Sequence, residues 1–354
     1  MARVTMKDVA QVVGVSTMTV SNAFNRPDQL SADLRERILG RAAKMGYSGP
    51  DATARHLRSG RTNTFGVIFK EKLSYAFADP FTATWLTAFS QVMEDRQASI
   101  LLLSVPAGDE GARDTVQNSS MDGVAGLCSD TDGIRHARER GLPTVVSSVR
   151  VPIAEATEDC VVIDDYAAGA DAARHLRGLG HRHIDVLLYE KLLDADRPIY
   201  SLPDLMALMK RTESSDYLDL WPRLRGIVDH LQGCDVRVVM AAHNSHDSGQ
   251  ESASPILDRA TPPTAVLALS DMIAGGFLQG CRDRSLRPGP DVSVLGFDDL
   301  PEAAALGLTT IAQPIADKGR LSAELLLDRE RPDRQIVLPH HLKVRASTRP
   351  APTR

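Results

Sequence analysis

The stretch Thr5–Asn25, TMKDVAQVVGVSTMTVSNAFN, constrains the fold more than any other. Thr5 with Asp8 three residues later is a helix-start signal, in which hydroxyl and carboxylate satisfy free amides of the first turn. Val9, Ala10 and Val13 then share one helical face. Gly14 permits a reversal of the backbone, Val15 turns inward, and Ser16 is suited to cap a second helix over about Thr17–Phe24. In that helix Val20 and Ala23 face a core, which leaves Thr17, Met18, Ser21 and Asn22 outward. The pattern fits an ordinary helical hairpin. It also fits a helix-turn-helix, whose second helix lies in the major groove of DNA.

Charge separates this head from the rest of the chain. Residues 1–61 carry ten Lys/Arg against five Asp/Glu, a net +5, while the whole 354-residue chain is −5, so the remainder carries −10. A basic head on an acidic body suits a protein that meets phosphates through the head alone. Ser31 begins a third helix in which Leu34, Ile38, Ala42 and Met45 recur at helical spacing. Gly46 ends it, and Tyr47 is expected to pack back onto the head. Pro50–Arg58, PDATARHLR, sets the apolar Ala54 and Leu57 among basic residues, and its composition also fits a flexible linker.

From Thr64 the period changes. TFGVIF, SILLLS, GVAGL, PTVVSS and CVVID alternate with helical stretches such as 81–96 and 133–141, and a second such series runs from Ala167 to Leu269. This alternation predicts parallel βαβ units with helices on both sheet faces. Residues 189–221 are the weak region, with a short helix expected over Pro203–Arg211. Asp298 and Asp299 end a buried strand, where open α/β sheets place ligands or interdomain contacts. No Walker loop, GxGxxG, GxSxG or HExxH occurs, so neither a catalytic site nor a cofactor is expected. Cys128, Cys160, Cys234 and Cys281 form no CxxC pair and read as inert thiols. The doublet His340-His341 has no acid or thiol beside it to complete a metal site, and none is expected. No apolar run is long enough to span a membrane. The polar start MARVTMKDVA enters a capped helix, so no signal peptide and a cytoplasmic location are expected.

The strings VTMKDVAQVVGVSTMTVSNAFN and LSADLRERILGRAAKMGY resemble the amino-terminal signature of the lactose/galactose repressor family of bacterial transcription regulators. VLALSDMIAGG, LRPGPDVSVLGFDDLPEA, LTTIAQP and VRAST extend the likeness towards the far end. The resemblance implies a small all-α head followed by a two-subdomain α/β core, like a periplasmic binding protein, built on doubly wound parallel sheets. The implied division is a head over 1–48 and a hinge helix and linker over 49–62. One core subdomain would comprise 63–164 with 294–324, and the other 165–293 with 325–348, so that the chain crosses near Asp164, Val294 and Leu325.

The family reads bases at the positions of Thr17, Met18 and Asn22, although many members have arginine where this chain has Asn22. Thr5, Ser16, Ser21 and Asn25 are suited to phosphates. Leu57, with Ala54 beside it, would wedge into the minor groove. Arg223, three residues before Gly226, matches the arginine of an RLAG-type ligand motif, and Asp271 matches an acid that contacts ligand from the opposite subdomain. Ser148 stands where many sugar-binding members have aspartate. Phe77, Asp79, Ser129, Asn244 and Asp247 complete the candidate cleft. His181 and His183 resemble the family's turn into a strand and read as structural. The implied partners are double-stranded operator DNA, a small-molecule effector such as a sugar, and a second copy of the chain in a homodimer or larger assembly, with no membrane. A transport-type binding protein is the first alternative; the basic head and missing signal peptide oppose it. An α/β enzyme using Asp298/Asp299 with a histidine is the second, opposed by the missing nucleophile motif.

Overall fold

The computed structural model describes residues 4–49, 61–106, 108–127, 131–149, 155–189, 199–212 and 220–352. The chain divides into two compact units, 1–62 and 63–354.

In the first unit, α1 (Met6–Val13), α2 (Thr17–Asn25) and α3 (Ala32–Lys44) enclose Val9, Ala10, Val20, Ala23, Ile38 and Ala42. Thr5 and Asp8 form a reciprocal capping box on α1, and Gly14 closes that helix with φ 75°, a left-handed conformation that glycine adopts without steric penalty. The Ser16 hydroxyl caps α2 by accepting from the amide of Thr19 at 3.0 Å. Ser31 occupies the corresponding place before α3, but its side chain makes no capping hydrogen bond. Tyr47 packs on this core and meets Phe24 edge-on, with ring centroids 5.7 Å apart.

The second unit begins with β1 (Thr64–Phe69), α4 (Leu73–Ala78), α5 (Pro80–Asp95), β2 (Ser99–Ser104), α6 (Ala112–Asn118), β3 (Gly123–Gly126), α7 (Asp132–Glu139), β4 (Thr144–Val146) and β5 (Asp159–Ile163). There follow α8 (Asp165–Gly178), β6 (His183–Leu188), β7 (Ile199–Ser201), α9 (Leu202–Thr212), α10 (Trp221–His230) and β8 (Asp235–Met240). Next come α11 (His246–Glu251), α12 (Ala253–Leu257), β9 (Ala265–Ala268), α13 (Asp271–Asp283), β10 (Ser293–Asp298), α14 (Pro301–Ala305) and β11 (Thr309–Ala312). The last elements are α15 (Ile315–Leu327), β12 (Gln335–Leu338) and β13 (His341–Lys343).

Two sheets result, ordered β12-β5-β4-β3-β1-β2 and β13-β11-β10-β9-β6-β8-β7. Among the described residues the first is parallel throughout, and in the second only β7 and β13 run antiparallel. Each sheet repeats one doubly wound order, in which the chain reverses direction between β1 and β3, or between β6 and β9. Open sheets of this kind bind ligands outside the carboxyl ends of the strands at that point.

This topology corrects two of the three expected crossings. At Asp164 the chain passes from β5 of the first sheet to α8, which leads into β6 of the second. Val294, however, lies inside β10, which pairs with β9 through Val294–Val266 and with β11 through Leu295–Thr309. Leu325 lies inside α15, which packs in the core of the first subdomain. The chain therefore returns at Gln313–Pro314, and goes back between β12, paired with β5, and β13, paired with β11. Strand-forming character does not encode which sheet a strand joins; pairing decides it. The weak region holds a short edge strand, β7, that its sequence does not signal, and the helix predicted over Pro203–Arg211 is α9.

Candidate functional site

Two faces are candidates. On the head, Val20 and Ala23 anchor α2 with no exposed surface, while Met18 on the opposite side is 68% exposed. Thr17, Met18 and Asn25 are exposed, and Ser21 and Asn22 are half-buried. Asn25 turns its amide back onto its own helix, donating to the Ser21 carbonyl at 3.0 Å. Thr5 and Ser16 are exposed and serve as helix caps. Ala54 and Leu57 lie outside the described residues.

The other face is the cleft between the subdomains of the second unit. Arg223 sits in the first turn of α10 and is 6% exposed. A Cβ on Gly169 would stand 2.1 Å from the Arg223 carbonyl oxygen, and one on Gly226 2.0 Å from that of Tyr166. Glycine at both positions thus lets α8 and α10 touch backbone to backbone, which brings Arg223 to Asp165. The guanidinium donates to Asp165 Oδ1 from Nε (2.9 Å) and Nη2 (2.8 Å), and to the Leu269 carbonyl from Nη1 (2.9 Å). It also lies 3.5 Å over the ring of Phe297, a cation–π contact that is stronger for being dry. Burial disfavours the charged guanidinium, but Asp165 and Asp298 outweigh that and raise its pKa.

Asp298 ends β10 with φ 115°, and Asp299 follows with φ 57°. Two consecutive non-glycine residues at positive φ mark local strain, which tends to collect at binding sites. Burial pushes the Asp298 carboxyl well above the carboxylate range; Arg223 opposes the shift, and Asp271 and Asp79 reinforce it. From Asp298 a buried polar chain crosses from one core subdomain to the other. Gln313 Nε2 donates to Asp298 Oδ1 at 2.6 Å. Lys318, 2% exposed on α15, donates to Gln313 Oε1 at 2.7 Å and to the Ser147 carbonyl at 3.2 Å. Trp85 Nε1 then donates to Ser147 Oγ at 2.8 Å. The Tyr75 hydroxyl of α4, in the first subdomain, donates to the Asn244 carbonyl of the second at 3.1 Å.

The remaining candidates divide by use. Asp79 caps α5, accepting from the Phe81 and Thr82 amides at 3.3 and 3.2 Å, and still lies near enough to Asp298 to affect its ionisation. Asp271 is committed within its own subdomain, accepting from the Leu300 amide at 2.9 Å and the Thr310 hydroxyl at 2.7 Å. Burial pushes its pKa up to about 7. It also lines a recess that Pro80 shares from the first subdomain with Met272 and Leu300. Asn244 Oδ1 accepts from Ser270 Oγ at 2.5 Å. Ser148 is half-buried just after β4, Phe77 and Asp247 are exposed, and Ser129 lies outside the described residues. The sequence places Asp298 at a strand end that suits a ligand or an interdomain contact, but gives no sign of Tyr75, Asp165, Gln313 or Lys318. His181 is buried and tied to Thr264 and the Arg349 carbonyl. Among the described residues no group of three His, Cys, Asp or Glu could hold a metal ion, and no helix is long and apolar enough to cross a membrane.

Residues 5–49 match the model of bacterial regulatory proteins of the lacI family, and residues 173–348 that of the periplasmic binding protein-like domain. The HTH-type transcriptional regulator IpsA of Corynebacterium glutamicum is 34% identical over 333 residues, covering 91% of this chain and 90% of that protein. The chain belongs to the lacI family. It is accordingly a transcriptional regulator with a helix-turn-helix DNA-binding domain and a ligand-binding domain, and its relatives are regulators and not enzymes. A solved complex of the transcriptional regulator CelR with cellobiose superposes with TM-score 0.64 at 27% identity, covering 98% of this chain and 100% of that one. The lac repressor dimer bound to operator and an anti-inducer gives TM-score 0.73 at 23% identity, with 98% and 100% covered, and shows a shared fold.

Proposed function

We propose that this lacI-family regulator is a repressor that binds a palindromic operator as a homodimer and responds to a sugar or related polar metabolite held between the core subdomains. The observation that carries the reading is the buried cluster of Arg223, Asp165 and Asp298, linked from one core subdomain to the other through Gln313 and Lys318. A guanidinium beside carboxylates can fork onto vicinal hydroxyls, and a ligand there touches the groups that join the subdomains. The relative solved with cellobiose supports a sugar-like effector. A ligand shifts operator affinity only if it favours one subdomain arrangement over the other.

A general argument supports a homodimer: one recognition helix covers a half-site, and two-fold pairing matches a palindrome. In this reading Thr17, Met18 and Asn22 meet base edges, Thr5, Ser16, Ser21 and Asn25 meet phosphates, and the hinge residues Ala54 and Leu57 meet the minor groove. Residues 1–48 form the reading head, 49–62 the hinge, and the rest the sensing core. The protein works in the cytoplasm, where its DNA is.

The test is a gel shift on sites selected from a random library, with the full chain and with residues 63–354 alone, beside a thermal-shift screen of sugars and polyols. The full chain should bind selected sites, and the truncated core should lose that binding while keeping its melting transition and any ligand shift. A truncated core that still bound selected DNA would overturn the assignment.

A further inference from the structure

Asn22 and Asn25 lie three residues apart on α2, yet their amides are held differently. Asn25 donates into its own helix, to the Ser21 carbonyl and hydroxyl. Asn22 reaches out of the helix, and its Nδ2 donates to Gln29 Oε1 at 3.1 Å. Gln29 ends the short 3-10 turn Pro27–Gln29, which is anchored to the end of α2 through the Gln29 amide and the Arg26 carbonyl, 3.1 Å apart.

We propose that Gln29 is a positioning residue for DNA reading: its side-chain carbonyl sets the Asn22 amide in the orientation that accepts adenine and rejects guanine. The proposal rests on Asn22 being a base reader. An asparagine amide has one acceptor oxygen and two N–H donors. Adenine presents the N7 acceptor beside the N6 donor in the major groove, so a bidentate pair uses Oδ1 and one Nδ2 hydrogen. Guanine presents two acceptors, N7 and O6. The second Nδ2 hydrogen has no role in the adenine pair, and it is the one Gln29 can take while the pair forms. If the Asn22 amide alone turns over, its oxygen faces Gln29 Oε1, acceptor against acceptor. Holding the amide therefore biases which base edge is complementary, since reversing it requires the Gln29 amide to turn over as well, and part of the ordering cost of the bidentate contact is met before DNA arrives. Without that hold the amide turns freely, and a single hydrogen bond to N7 is open to either purine.

The experiment is site selection from a random duplex library with the full chain, comparing wild type, Asn22→Ala, Gln29→Ala and Gln29→Glu. Gln29 is exposed, so none of its variants is expected to disturb folding, and circular dichroism checks this. Asn22→Ala should erase adenine preference at one symmetric pair of positions. Gln29→Ala should reduce adenine-over-guanine preference at those same positions by roughly tenfold and leave other positions alone. Gln29→Glu can only accept from Nδ2, so it should retain the preference even if added negative charge weakens overall affinity. If Asn22→Ala changes no preference, the assignment of Asn22 as a reader is wrong. If Asn22→Ala acts but Gln29→Ala does not, or Gln29→Ala acts at a different base pair, or Gln29→Glu fails to retain the preference, the positioning role is overturned while Asn22 stands.

Discussion

In the head, every fully buried side chain among the described residues is apolar, and Thr17 and Met18 stand in solvent. In the core, Arg223, Asp271, Asp298 and Lys318 are each less than a tenth exposed and joined to hydrogen-bond partners. The difference follows from what each region must do. A surface that meets a polyanion keeps its polar groups hydrated until contact, because phosphate attraction acts from outside. A sensor gains from burying charge, since a group already out of water responds strongly to a new neighbour. The head can therefore be small, whereas the core must be large enough to hold charges in a dry interior.

The sharpest way to break this comparison is a cavity in the head. Ile38 is wholly buried beside Val9, Val20 and Ala23. Ile38→Ala should cost about 2–5 kcal/mol, a large part of what three short helices can supply. Operator binding should be lost while the melting transition of the core stays in place. A coincident fall of both transitions in calorimetry would show that the two units do not fold independently.

The second test strikes the core where packing positions charge. Gly226→Ala puts a methyl group 2.0 Å from the Tyr166 carbonyl oxygen, so α8 and α10 must separate. The expected loss is about 1–3 kcal/mol, as for other overpacked contacts. The readout specific to the comparison is effector response: Arg223 moves away from Asp165, so a ligand found by thermal shift should bind the variant more weakly. Operator binding by the head should survive at temperatures where the variant remains folded.

How much of this was readable in the sequence depends on the range of the interactions. The head was readable because its determinants are local: Thr5 with Asp8, Gly14 at the turn, Ser16 before α2, and Val20 with Ala23 on one face. Ser31 is a partial exception, because its position begins a helix although its hydroxyl does not cap it. The alternation of strands and helices was readable for the same reason. The crossings at Val294 and Leu325 were misplaced because sheet membership rests on pairing between distant segments, such as Gln335 with Cys160. Lys318 gave no signal at all. In IADKGRL it reads as the solvated face of a helix, and only its contact with Ser147, 171 residues away, shows a buried cation. Asp298 was visible as a residue ending a strand, but its meeting with Arg223 and Gln313 was not.

The smallest expected effect tests the buried-charge side of the comparison through pH. Asp271 is 5% exposed and its pKa is pushed up to about 7, against about 3.9 in an unfolded chain. Between those values the folded protein holds a proton that the unfolded chain has released, so this group's contribution to stability is full at acid pH and declines as pH rises. Asp298, raised by burial and further by Asp271, and Asp185, raised to about 6, act in the same direction, whereas His175 and His181, lowered by burial, act in the opposite one. Removing the Asp271 charge also eases the ionisation of Asp298, so the difference reads the pair. The absolute pH profile is therefore a mixture, and the informative quantity is the difference between wild type and Asp271→Asn. The asparagine can still accept from the Leu300 amide and can donate to the Thr310 hydroxyl, but it does not titrate. From pH 6 to pH 7, denaturant midpoints should shift in favour of the variant by about 1 kcal/mol. Parallel profiles would mean that the Asp271 carboxyl is ionised throughout, and that the core tolerates its buried charge much as the head's surface tolerates exposed charge.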